Sequence, residues 1–172
     1  MKKKIIFFDG DGTLWYPKKT KHTEKPHWIY KIEGTLGDYC KQLTLTPGVL
    51  STLKKLKDKH IILVVLSTHP HPPKEAQSII HHKISYFKLA SFFDEVHATR
   101  EYHASKGEFI LEILKKRGIP KNKALMVGDH YLWDYKSAKD VGVDAFLIES
   151  NYMKKDKRIK TLSHLRDLFT YL

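Results

Sequence analysis

The sequence predicts an α/β domain, a parallel β-sheet with helices packed on both faces. Three observations carry that reading. Short apolar runs rich in β-branched and aromatic residues alternate with stretches of helical periodicity, the order expected of strand–helix–strand units. The chain has 172 residues, 41% of them apolar and 12% aromatic, one domain's length with enough apolar side chain for a core. Acidic or hydroxyl residues close several of the apolar runs, at Asp9 and Asp11, at Ser67 and Thr68, and at Asp129. The carboxyl ends of strands are where an open parallel sheet forms its ligand crevice.

Five strands are expected, at Lys4 to Phe8, Ile61 to Leu66, Asp94 to Ala98, Ala124 to Val127 and Asp144 to Ile148. Thr46-Pro47 reads as an N-cap with proline in the first turn, opening a helix whose apolar face is Val49, Leu50, Leu53 and Leu56 and which ends near Lys59. A second, less regular pattern runs from Pro72-Pro73 toward Leu89, with Ala76, Ile79, Ile80 and Ile84 inward. The third helix carries a capping box, Ser105 with Glu108, then Ile110, Leu111 and Leu114, and it stops at Gly118 and Pro120. Lys106 therefore falls in its first turn. Short helices near Leu132 to Val141 and Ser163 to Leu172 complete the layers. Positions 15 to 45 break the alternation: Trp15, Tyr16, His22, His27, Trp28, Tyr30 and Tyr39 stand among lysines without sustained period. That stretch is either an excursion packed by its own aromatics or a flap over a pocket.

Composition excludes several classes. The longest apolar run, Ile61 to Leu66, is far shorter than the roughly 20 residues of a membrane span. The start, Lys2-Lys3-Lys4-Ile5-Ile6-Phe7-Phe8, imitates a signal peptide, yet its apolar stretch stops at Asp9, short of the roughly 7 to 15 residues such a segment needs. A single cysteine, Cys40, forms neither an internal disulfide nor a paired-cysteine metal or redox site, so a cytoplasmic setting without a membrane partner is expected. Lysines and arginines number 31 against 19 acidic residues, a net charge of +12. The cations are scattered along the whole chain. They form either a solvated lysine surface or a field that attracts phosphorylated metabolites, phosphoproteins or nucleic acid.

Asp-Gly-Asp-Gly at 9 to 12 fits a tight turn by itself. A turn does not explain why Gly128-Asp129 ends another buried run, with Asp134 five residues on. Carboxylates converging at one sheet edge repel unless a cation neutralises them, and an all-oxygen donor set suits Mg²⁺. Zinc is not expected, because the 11 histidines provide no helical ligand pair with a third ligand in context. His69 and His71 in His69-Pro70-His71-Pro72-Pro73 either touch a leaving group or belong to a proline-stiffened loop.

Together these segments resemble the haloacid dehalogenase (HAD) superfamily of aspartyl-nucleophile phosphotransferases. Its first motif is similar to Asp9-Gly10-Asp11-Gly12-Thr13-Leu14, its second to the strand ending in Ser67-Thr68, its third to Lys106, and its fourth to Gly128-Asp129 with Asp134. Within the superfamily, Leu14-Trp15, the short insert before Thr46-Pro47-Gly48 and Ser105-Lys106 most resemble the compact magnesium-dependent phosphatases without a full cap domain. The resemblance implies a Rossmann-like three-layer fold, sheet order 3-2-1-4-5, and one domain over 1–172 with a short cap or flap insertion at about 15–45. It implies Asp9 as the nucleophile that becomes an aspartyl-phosphate, and Asp11 as the acid and base for the leaving oxygen and then the water. Mg²⁺ would be held by Asp9, the Asp11 carbonyl, Asp129 and, directly or through water, Asp134. Ser67, or less favourably Thr68, would bind the phosphate with Lys106. Gly10 departs from the family, which has a larger residue there, and is expected to loosen the first loop.

The expected activity is hydrolysis of a phosphomonoester, such as a sugar phosphate or phosphotyrosine, in a small molecule or a phosphoprotein. The lack of room for a large cap predicts an open site. The alternatives are a phosphatase acting on nucleic-acid ends and a non-catalytic binding module on the same fold.

Overall fold

In the computed structural model, which describes residues 2–31, 39–99, 105–153 and 156–172, the strands in chain order are β1 (Ile5–Phe8), β2 (Trp15–Pro17), β3 (Leu43–Leu45), β4 (Ile62–Thr68), β5 (Glu95–Thr99), β6 (Ala124–Gly128), β7 (Asp144–Ile148) and β8 (Thr161–Leu162). The α-helices are α1 (Tyr39–Gln42), α2 (Val49–Asp58), α3 (Pro73–Tyr86), α4 (Lys106–Arg117) and α5 (Ser137–Asp140). β1 is central because all four of its side chains are apolar and buried. It pairs in parallel with β4, Phe8 opposite Val65, and with β6, Phe8 opposite Val127. The sheet order is β5-β4-β1-β6-β7-β8, so the five expected strands take the expected order and the Rossmann-like fold holds.

Period-two alternation then divides the core into two layers. Ile6, Phe8, Leu63, Val65, Leu125 and Val127 face one way, onto Val49, Leu53 and Leu56 of α2 and Ile80 and Ile84 of α3. Ile5, Phe7, Val64, Leu66 and Met126 face the other, onto Ile110, Ile113 and Leu114 of α4 and Ala138 of α5. Helices cover both faces, as read from the sequence.

Several expectations need correction. The sheet has six strands, not five: β8 joins β7 with Leu147 N–H donating to Lys160 and Glu149 N–H to Leu162, each at 3.0 Å. Two residues are too few to show a strand period. β4 runs two residues further than predicted, carrying Ser67 and Thr68 on the sheet's end. Thr46 is not the cap of α2; Gly48, at φ +81°, holds that position, because Thr46 directly follows β3 and gives its N–H to the Leu14 carbonyl. Leu50 is 48% exposed and Thr52 takes its place on the buried face. On α3, which is unbroken, Ile79 is half-buried while Lys83 is wholly buried. On α4 Ile113 is buried and Leu111 is half-buried. The 132–141 helix is a π-helical turn, Tyr131–Lys136, followed by α5, and the last helix is a 3₁₀ segment, Leu165–Thr170. Within 15–45, β2 and β3 form an antiparallel pair, Trp15 opposite Leu45. They bring the two ends of the segment together, and a 3₁₀ turn, Pro26–Lys31, lies between them. Among the described residues no helix is long and apolar enough to cross a membrane.

The capping box forms as predicted, with Ser105 Oγ accepting from Glu108 N–H at 3.3 Å and Glu108 Oε2 accepting from Ser105 N–H at 3.0 Å. Ser105→Ala should cost about 1 kcal/mol, seen as a fall in Tm of about 2–4 °C in thermal unfolding.

Candidate active site

The end of β1 delivers Asp9 and Asp11 into a loop that closes on one carbonyl. The N–H groups of Thr13, Leu14 and Trp15 point to Gly10 O at 3.2, 2.9 and 3.3 Å, and Gly12 N–H donates to Trp15 O at 2.7 Å. Two glycines make this possible. At Gly12, φ is +84° and a Cβ would lie 2.2 Å from Asp129 Oδ2, so a bare backbone lets β6 bring its aspartate against the β1 loop. At Gly10 a Cβ would lie 2.7 Å from Trp15 Cζ2 and 3.0 Å from Ser67 Oγ. The departure at Gly10 therefore does not loosen the loop. It admits the Trp15 indole, whose Nε1–H donates to Asp11 Oδ1 at 2.7 Å.

The first turn of α4 aims Lys106 across the sheet edge. Its ammonium is 2.6 Å from Asp9 Oδ1 and 2.5 Å from Asp134 Oδ1, all three side chains being buried. Asp134 Oδ2 accepts from the N–H groups of Asp129 and His130 at 3.1 and 2.9 Å, which ties the loop after β6 to its own π-helical turn. Asp129 Oδ2 accepts from the Tyr152 hydroxyl at 2.6 Å. Carboxylate oxygens of Asp9, Asp129 and Asp134 lie within 4.8 Å of one another. One ammonium faces three acidic groups. Burial raises the Asp9 carboxyl to about 7 against the pull of Lys106, with Asp134 adding to the rise. Burial, Asp9 and Asp134 push Asp129 well up. Lys106 is driven upward by Asp134 and Asp9 although burial opposes it.

Asp11 belongs to a separate cluster. Its Oδ1 accepts from Trp15 and from Lys83 at 3.0 Å, and its Oδ2 accepts from Tyr30 at 2.5 Å and from Lys83 at 3.1 Å. Burial works against the anion, but Lys83, with His27, His69 and Tyr30, holds this carboxyl well below the usual carboxylate range. Ser67 Oγ is buried without a hydrogen-bond partner among the described residues, whereas Thr68 Oγ1 is 3.0 Å from Thr99 Oγ1 and lines the cavity. All the residues singled out in the sequence, Asp9, Asp11, Ser67, Thr68, Lys106, Asp129 and Asp134, thus meet at the carboxyl edge of β1, β4 and β6.

The cavity over them has a volume of about 80 Å³, and its walls include Asp9, Lys106, Asp129, Lys25, His27 and Trp133. Ordinary small-molecule sites are about 300–1,000 Å³, so this cavity is narrower than the expected open site, and Lys25, Pro26 and His27 of the 15–45 segment border it. His27 stacks toward Trp133 at 6.2 Å between ring centroids, and His130 stacks on the same indole at 4.2 Å.

Sequence reasoning missed three contributors. Lys83 carried a legible signal, a lysine on the α3 face of Ala76, Ile80 and Ile84. Tyr152 follows β7 by four residues, at the strand end where ligands gather. Tyr30 gave none beyond belonging to an aromatic-rich insert.

The sequence profile of the haloacid dehalogenase-like hydrolases matches residues 11–148. The chain belongs to that family. No curated protein matches it. The fold of this hydrolase is similar to that of a Clostridium difficile protein, 20% identical with a TM-score of 0.75, covering 100% of this chain and 99% of that one. It is also similar to a HAD phosphatase from Thermococcus onnurineus, 19% identical, TM-score 0.71, covering 99% and 97%. A predicted phosphoglycolate phosphatase from Haemophilus somnus 129pt is 18% identical, with TM-score 0.70 and coverage of 99% and 98%. These likenesses establish the fold.

His69 offers a pH test. Burial, then Lys83, lowers its imidazole from 6.5 to about 3, so the unfolded chain binds the proton first. Its contribution to stability is complete above pH 6.5 and is lost as the pH falls toward 3, at up to about 1.4 kcal/mol per pH unit. Thermal unfolding of wild type and His69→Phe should diverge in pH dependence across that window; parallel curves would exclude His69 as the cause.

Proposed function

We propose that this hydrolase is a Mg²⁺-dependent phosphomonoesterase that works through an aspartyl-phosphate on Asp9. The observation that carries the reading is the buried contact of Lys106 with Asp9 and Asp134 beside Asp129. Three carboxyl groups within 4.8 Å and a single ammonium leave a negative excess that a divalent cation suits. Asp9, the Asp11 carbonyl and Asp129 would hold Mg²⁺. Asp134, engaged by Lys106 and by two backbone N–H groups, would act mainly by orienting them. When bound, the ion offsets the repulsion between the attacking carboxylate and the phosphoryl group.

The chain's own residues supply the rest. Among the described residues the Asp9 side chain is hydrogen-bonded only through Oδ1, which leaves Oδ2 to attack phosphorus and form the acyl phosphate as the P–O bond to the leaving group breaks. Lys106, already on Asp9, is placed to counter charge on the transferring group. Ser67, buried and unpaired, donates to a phosphate oxygen. In the second half-reaction water attacks the aspartyl-phosphate, and the ionised Asp11 takes its proton. The proton that Asp11 takes from the water in one turnover is the one it gives to the leaving oxygen of the next ester, which returns Asp11 to its ionised form. A cavity of about 80 Å³ accommodates a phosphoryl group but not a bulky ester, so residues 15–45 serve as a cap that must give way for the leaving group. The substrate is a phosphorylated small molecule or the phosphorylated side chain of a protein.

Hydrolysis of p-nitrophenyl phosphate should require Mg²⁺, stop with EDTA and fall to background in Asp9→Asn; activity surviving that change would overturn the mechanism. Lys106→Met should lower kcat by about 10²–10³-fold. Because the Asp9 carboxyl is raised to about 7, protons compete with the cation, and the apparent Mg²⁺ affinity measured by calorimetry should increase as the pH rises from 6 to 8.

A further inference from the structure

We infer that Lys83, together with Tyr30, is a positioning residue for Asp11, so that α3 and the 15–45 insert complete the catalytic loop. The inference rests on the phosphatase reading above and adds residues that lie outside the four motifs carrying the family resemblance. Lys83 is in the last turn of α3 and is 0% exposed. Its ammonium touches both oxygens of Asp11, at 3.0 and 3.1 Å, and the Tyr30 hydroxyl. It also lies over the ring faces of Trp15 and Tyr30, at 5.6 and 4.7 Å from their centroids.

Stability does not account for this lysine. The face of α3 it shares holds Ala76, Ile80 and Ile84, and an apolar side chain there would bury without desolvating a charge. A buried ion pair replaced by apolar groups is often no less stable. The pair does something an apolar residue could not, since it fixes a carboxylate that lines the reaction cavity. Trp15 and Lys83 hold Oδ1, and Tyr30 and Lys83 hold Oδ2, so the group has one orientation relative to Asp9. The Tyr30 contact comes from the 3₁₀ turn Pro26–Lys31, whose first residues, Pro26 and His27, also line the cavity. Docking of the insert and placement of Asp11 are thereby one event.

A double-mutant cycle tests this. Lys83→Met should lower kcat on p-nitrophenyl phosphate by about 10–100-fold with KM changed less than threefold, whereas in an Asp11→Asn background the same change should cost less than about threefold. Removing both charges should also leave the double variant with a higher Tm than Asp11→Asn alone, because no buried ammonium is stranded. Equal losses in both backgrounds, or an unchanged kcat in folded Lys83→Met, would overturn the inference. If Lys83→Met does not fold, Tyr30→Phe, which deletes one hydroxyl, carries the same cycle with the same expectation. A wild-type protein inactive on phosphate esters removes the phosphatase reading and this inference together; an active one with an additive cycle removes only the inference.

Discussion

Buried charge balance governs this molecule. Asp9, Asp11, Asp129 and Asp134 are all nearly inaccessible, and two equally buried lysines, Lys83 and Lys106, face them. Carboxylates removed from water are tolerated only when they are paired, hydrogen-bonded or protonated, and the site shows each solution. Asp11 is paired and hydrogen-bonded on both oxygens. Asp134 is shared between Lys106 and the backbone. Burial, with the neighbouring carboxylates adding to it, pushes the Asp9 and Asp129 carboxyl groups upward.

This division separates two kinds of chemistry at one sheet edge. Around Asp9 the under-neutralised group of three carboxyls is suited to a cation and a phosphate. Around Asp11 the over-coordinated carboxylate is suited to holding a fixed position. Both depend on glycine. Without a Cβ at Gly12 the Asp129 carboxylate approaches the first loop, and without one at Gly10 the Trp15 indole reaches Asp11. The family departure at Gly10 therefore tightens the site through the aromatic beside it.

The insert links access to geometry. Its two ends are clamped by β2 and β3, and between them Pro26 and His27 reach the cavity wall and Tyr30 reaches Asp11. Residues 32–38 of the segment lie outside the described residues. Aromatic content alone did not reveal this arrangement, because rings such as His27 and Trp133 come from distant parts of the chain and stack only after folding.

What the amino-acid sequence determined by itself were the features written in local periodicity and spacing: the five main strands, the capped helix that presents Lys106, and the motifs whose order along a parallel sheet forces Asp9, Ser67, Lys106 and Asp129 to one edge. A strand's period and a helix cap are set by near neighbours, so they are legible before folding. The two-residue β8, the insert residues that line the cavity, the Lys83–Asp11 pair spanning 72 positions and the Tyr152 contact to Asp129 were decided only by tertiary structure. Each depends on side chains far apart in the chain meeting in a water-excluded space: a lysine on the apolar face of α3 is visible in the sequence, but nothing at that position names the carboxylate it meets.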